Sequence, residues 1–207
     1  MKFNVTRTDI LNYLIKKKKY KSYLEIGVRD PRSGNFNNIK LENKQGVDPE
    51  PIIRQPNIFV GTSDDFFLTN KLKFDLIFID GLHLEAQVDK DIVNSLACLN
   101  KNGMILLHDC NPPSKIHQRE TYCVDGKYPP WNGTVWKSFA KLRMTRADLM
   151  MYVIDTDWGI GLIKEGAQVL FNSDGIDINN LHFKLLKHNR TELLKLISVK
   201  DFQKIIF

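Results

Sequence analysis

The chain has 207 residues, 43% hydrophobic content and a formal charge of +6. That suits one domain, or one domain with an added segment, long enough to bury a core without a metal or disulfide staple. No apolar run approaches the roughly 20 residues of a membrane span, the start lacks the order of a secretory leader, and composition excludes collagen-like, disordered and disulfide-knotted classes. Thr8 is expected to cap a helix running to about residue 18, with Ile10, Leu11, Leu14 and Ile15 on one side. Strands are expected at 23–28, 45–48, 57–61 and 74–80. The last is a near-continuous apolar run of the kind covered on both faces of a parallel sheet. Residues 85–99 carry Val88, Ile92, Leu96 and Leu99 at helical spacing. Asn102 and Gly103 are expected to turn the chain into a fifth strand at 104–109. Residues 111–132 hold four prolines and no periodicity, so they are expected to form a long functional loop. A helix at 133–146, a strand pair at 149–154 and 159–164, and a helical end from residue 179 with Leu185, Leu186, Leu193, Leu194 and Ile197 complete the pattern.

Alternating strands and helices predict an α/β, Rossmann-like, doubly wound and mostly parallel sheet with helices on both faces. The charge is unevenly placed. Residues 1–21 carry net +6, residues 184–207 net +4, and the stretch between them net −4. Solvated, lysine-faced helices at the two ends explain this better than a nucleic-acid platform, since neither end interleaves aromatics with its charges. Cys98, Cys110 and Cys123 form no zinc or paired-cysteine spacing and fit a reducing cytoplasm.

Open parallel sheets bind ligands at the carboxyl ends of their strands. Those ends here carry Glu25 and Gly27, then Asp48, Ser63 and Asp64, Asp80 and His83, and His108 and Asp109. Asp48 ends the second strand 23 residues after Glu25, where a carboxylate can accept both hydroxyls of a ribose. A turn-making aspartate before Pro49 is the alternative. The first loop has Gly27 and Gly34 but not the closely spaced glycines that cradle a pyrophosphate. Its acids suit a ligand with a cationic amino-acid part, as in S-adenosylmethionine (SAM).

The runs Tyr23-Leu24-Glu25-Ile26-Gly27-Val28, Gly46-Val47-Asp48-Pro49, Phe74 to His83 and His108-Asp109-Cys110-Asn111-Pro112-Pro113 resemble class I SAM-dependent methyltransferases. The similarity is closest to the small bacterial branch associated with glycan and antibiotic-sugar O-methylation. Trp131 to Lys137 and Asp155 to Gly159 are also similar to that branch. The resemblance spans roughly residues 22–164 and implies a seven-stranded sheet. It implies Glu25 and Gly27 near the methionine part of SAM, Asp48 on the ribose, Ser63 and Asp64 near the adenine, and Asp80 near the sulfonium and acceptor. The chain departs from the common glycine-rich loop by lacking its second and third glycines.

Methyl transfer to oxygen needs alignment and, usually, removal of the acceptor's proton. His108 or His83 is the expected base, with Asp80 completing the catalytic set. Asp80 and Asp109, with the two histidines, could instead hold magnesium; the residues leave both open. The expected organisation is a basic N-terminal helix at 1–21, a methyltransferase domain at 22–170 with an acceptor lid at 111–132, and a helical extension at 171–207. The expected function is a cytoplasmic SAM-dependent O-methyltransferase acting on a small-molecule or saccharide acceptor in glycan biosynthesis. Nucleic acid is not an expected partner, and a second copy of the chain is left open. The alternatives are a nucleic-acid or protein methyltransferase and a non-catalytic SAM-fold binding module.

Overall fold

The computed structural model describes residues 5–205. The outermost residues of both basic ends lie outside that range. In chain order the elements are α1 (Arg7–Lys18), β1 (Tyr23–Ile26), β2 (Lys44–Asp48), β3 (Ile58–Val60), α2 (Ser63–Thr69), β4 (Phe74–Ile79) and α3 (Glu85–Ala97). Then follow β5 (Leu99–Leu107), α4 (Val135–Thr145), β6 (Leu149–Ile154), β7 (Ile160–Glu165), α5 (Phe183–Leu193), β8 (Leu196–Ile197) and α6 (Val199–Ile205). A single 3-10 turn, Phe36–Asn38, interrupts the loop between β1 and β2.

The strands form one sheet in the order β3-β2-β1-β4-β5-β7-β6-β8. β7 runs antiparallel to both β5 and β6, and the other pairings are parallel. The sheet therefore has eight strands rather than seven. The eighth is β8, which pairs with Val153 and Ile154 of β6. Ile197 thus belongs to a strand and not to the expected terminal helix.

Alternation along the strands builds two cores. Leu24, Ile26, Ile77, Ile79, Ile105 and Leu107 face a layer containing Phe66, Val88, Ile92, Phe139 and Leu186 from α2, α3, α4 and α5. Tyr23, Leu76, Phe78, Met104 and Leu106 face Ile10, Leu11, Leu14 and Ile15 of α1 and Phe202 of α6. The helices α1 and α6 thus lie on one face of the sheet, where Tyr13 and Phe202 meet at 5.8 Å.

Three further differences from expectation have identifiable reasons. α1 starts after Thr6, not Thr8, because Thr6 and Asp9 form a reciprocal capping box, a device worth about 1 kcal/mol. Thr8 instead donates to Asn35 Oδ1 at 2.5 Å. The second helix, α2, was not expected from its short apolar pattern. Thr62 and Asp65 cap it in the same way. β5 begins at Leu99, five residues early, and carries Asn102 in left-handed backbone (φ 64) across a register shift opposite Phe74 and Leu76. A bulge thus absorbs the Asn-Gly pair that reads as a turn.

Candidate active site

Strand order reverses between β1 and β4, and a cleft of about 1160 Å³ opens there at the strand ends. Glu25, Gly27, Asp48, Ser63, Asp80, His83, His108 and Asp109 all line it. The fold brings together every expected site residue except Asp64.

The floor is set by the close approach of two loops. Asp80 N–H donates to the Ile26 carbonyl at 2.8 Å. Gly27 has φ 89, and a Cβ there would stand 2.2 Å from the Asp80 carbonyl oxygen. Glycine is required by both backbone and space. Asp48 is oriented by backbone: its Oδ2 accepts from Arg29 N–H at 2.7 Å and its Oδ1 from Glu50 N–H at 2.8 Å. Each oxygen keeps a lone pair for a further donor. Glu25 is buried, with Oε2 accepting from the Tyr23 hydroxyl at 2.6 Å. Burial pushes its carboxyl up to about 8, against the opposing Tyr23 hydrogen bond.

On the far side, Gln87 of α3 lines the cleft beside Thr62 and Ser63, and its Nε2 donates to Ser63 Oγ at 3.1 Å. Asp64 turns to Lys90, whose Nζ donates to Oδ2 at 2.8 Å. Gln87 gave no sequence signal, being one polar residue of an amphipathic helix.

The other end of the cleft holds an acid–imidazole cluster. His83 places Nε2 3.2 Å from Asp80 Oδ1 and Nδ1 3.1 Å from Asp109 Oδ2. His108 places Nδ1 3.1 Å from Asp80 Oδ1 and 3.3 Å from Asp109 Oδ2, and Nε2 3.4 Å from Asp157 Oδ1. Burial works against charge on both rings, but the carboxylates outweigh it. His83 rises to about 9 and His108 well above its usual range. Asp80 and Asp109 are lowered despite burial, each by the two imidazoles. Both rings therefore hold a proton more tightly than a free imidazole does, with ring nitrogens turned to carboxylates. His108 is the more enclosed of the two.

Asp157 and Arg7 belong to this cluster and were not among the expected site residues. Arg7 Nη1 lies 3.2 Å from His108 Nε2. The Thr6–Asp9 spacing would have put Arg7 at a helix start, but nothing local shows that this start overhangs the cleft.

The loop 111–132 roofs this end with Tyr122, Pro130 and Trp131. Arg119 gathers it, donating to the carbonyls of Ile116, Tyr122, Pro129 and Pro130 at 2.8–2.9 Å. Trp131 Nε1 donates to Arg119 O at 2.6 Å, and its ring stacks on His83 at 5.0 Å. Asn132 Nδ2 donates to Asp109 Oδ1 at 2.5 Å. Trp131 and Trp158 line the cleft, while Trp136 is fully buried. Asn111, at the head of the Asn-Pro-Pro run, lies off the cleft, with Nδ2 donating to Asp155 Oδ1 at 3.2 Å.

The donor set fits SAM. Asp48 keeps acceptor capacity for the hydroxyls of a ribose, beside a bare-backbone floor at Gly27. A divalent cation also fits. Asp80, His83 and Asp109 each offer a ligand atom within 4.8 Å of the others. One imidazole among oxygen donors suits manganese, iron or zinc better than magnesium.

Residues 24–110 match a family model described as a methyltransferase domain. No curated protein matches the sequence. Among solved structures the chain is similar to the SAH-bound methyltransferase PaMTH1 of Podospora anserina, at 18% identity and a TM-score of 0.58, covering 77% of this chain and 78% of that one. It is similar to the O-methyltransferase TomG of Streptomyces achromogenes, solved with SAM, at 14% identity and 0.52, covering 78% and 80%. It is also similar to DesVI of Streptomyces venezuelae, at 10% identity and 0.51, covering 77% and 89%. These likenesses establish the fold.

Proposed function

We propose that this chain is a SAM-dependent methyltransferase, a reading supported by the family match over residues 24–110 and the shared fold, and that it methylates a hydroxyl oxygen of a small molecule, with a saccharide of glycan biosynthesis as the acceptor class. The observation that carries this is the acid–imidazole cluster of Asp80, His83, His108 and Asp109 at the acceptor end of the cleft. A hydroxyl must lose its proton, whereas methylation of a neutral amine needs no such base in line. TomG, named an O-methyltransferase, has the same fold.

SAM supplies a methyl group already activated by its sulfonium. Asp48 would accept the ribose hydroxyls, and Glu25 and Gly27 would bound the methionine part. Ser63, Thr62 and Gln87 would form the adenine side, with Asp64 behind them holding Gln87 through its Oδ1 at 2.9 Å. His83, the more exposed ring, is the proposed proton acceptor in its neutral form, which it reaches as pH rises towards about 9 because Asp80 and Asp109 hold its proton, with His108 behind them. The loop 111–132 would be the lid, with Trp131 presenting an aromatic face to the acceptor. Asp80, His83 and Asp109 would hold a divalent cation where one is required. Among the described residues no helix is long and apolar enough to cross a membrane. All three cysteines are free, which accords with a reducing cytoplasm.

The test is a labelled-methyl screen against nucleotide sugars, oligosaccharides, small phenols, RNA and peptides. Label in a sugar or another hydroxylated small molecule is expected. Label confined to RNA or peptide would overturn the proposal.

A further inference from the structure

Arg7 is the first residue of α1, yet it reaches the floor of the cleft. Its backbone N–H donates to Asp157 Oδ2 at 2.7 Å, and Nη1 donates to Asp157 Oδ1 at 3.3 Å. Nη1 also lies 3.2 Å from His108 Nε2, and Nε lies 3.7 Å from Asp80 Oδ2. One guanidinium therefore touches three members of the cluster, which come from the ends of β4 and β5 and from the β6–β7 turn. The start of α1 is fastened on both sides. Thr8 bonds Asn35 of the first cofactor loop, and Thr156 Oγ1 donates to the Val5 carbonyl at 2.5 Å.

The turn that Arg7 grips is strained. Asp157 and Trp158 hold left-handed backbone, with φ 43 and 65, a conformation costing a side-chain-bearing residue about 1–2 kcal/mol. Such a turn keeps its shape only where contacts over-determine it. Arg7 makes both backbone and side-chain contacts to Asp157, and Trp158 lines the cleft next to it.

We propose that Arg7 is a positioning residue for methyl transfer: its guanidinium locks the Asp157 turn and the His108 ring against Asp80, so the catalytic floor is complete only when α1 is docked. The inference rests on the methyltransferase function proposed above. A lysine at position 7 keeps the charge but has no planar fork to hold two partners at once.

The test compares wild type, Arg7→Lys and Arg7→Ala in four measurements: melting temperature, SAM affinity by calorimetry, the ring nitrogens of His108 by NMR, and methyl transfer to the acceptor identified by the labelled-methyl screen. In Arg7→Ala, SAM affinity should stay close to wild type while the melting temperature falls by a few degrees without loss of the folded state, and the His108 ring signals should move. The turnover number should fall by roughly tenfold or more with KM little changed. Millimolar guanidinium should restore part of the turnover, and Arg7→Lys should fall between. Unmoved ring signals, turnover lost only in step with SAM affinity, or no recovery with guanidinium would each overturn it. If wild type does not bind SAM, the methyltransferase function fails instead, and the ring signals still decide whether Arg7 positions His108.

Discussion

Asp48 shows how far a single side chain could be read from sequence. Its place at a strand end was legible, and the structure puts it on the cleft. The two amides that aim it, from Arg29 and Glu50, come from separate loops and were not legible. Both Asp48 oxygens accept backbone hydrogen bonds, so Asp48→Asn replaces one acceptor with an amide NH2 that cannot accept, and SAM affinity should fall by about tenfold or more. Calorimetry showing wild-type affinity would remove Asp48 from the ribose. Arg7 and Asp157 were missed because sequence spacing reports neighbours along the chain, while these two meet 150 residues apart. The Asp80–His83–Asp109 set yields a second prediction at this scale. Methyl transfer should fall on chelation and recover better with manganese than with magnesium, in keeping with its imidazole donor. Unchanged turnover in chelator would leave the cluster working through protons alone.

At the scale of elements, the strands of parallel type were legible because their apolar runs leave no other use for them. The turns between them were less so. Asn102-Gly103 carries the signature of a hairpin, yet β4 provides a continuing partner and the pair becomes a bulge. The short helix α2 was marked only by Thr62 and Asp65. The loop 111–132 was expected from its prolines, but its order comes from Arg119, whose guanidinium serves four carbonyls. Arg119→Ala should therefore loosen this loop without unfolding the sheet. Hydrogen exchange should rise within 111–132 alone, and KM for the acceptor should rise several-fold while SAM affinity holds. Exchange spreading into β4 and β5 would show that the loop is part of the core instead.

For the whole molecule, the charge layout and the titrations of the site lead to one expectation. Glu25 has a raised carboxyl and His83 a raised imidazole, at about 8 and 9. An acid held protonated in the folded state, and a histidine held charged there, both bind more protons folded than unfolded. Glu25 opposes folding increasingly from about pH 4.5 to 8, and the help from His83 is lost between about 6.5 and 9. Stability should thus decline from mildly acidic to alkaline pH. Glu25→Gln, which keeps an acceptor for Tyr23, should flatten the first part of that decline by about 1 kcal/mol or more. A melting temperature equal at pH 5.5 and 8.5 would contradict it. The strands themselves were legible in chain order as far as β7, but their order in the sheet was not. The eighth strand escaped because two residues carry no period.

The two outer strands have a consequence for how copies of the chain meet. β3 has three residues and β8 two, and these form the edges of the sheet. A neighbouring chain that tried to extend the ladder would find two or three residues to pair with, too short a template to hold. The molecule is thereby guarded against edge-to-edge growth, and a pairing of two copies would have to be built from helix faces and loops.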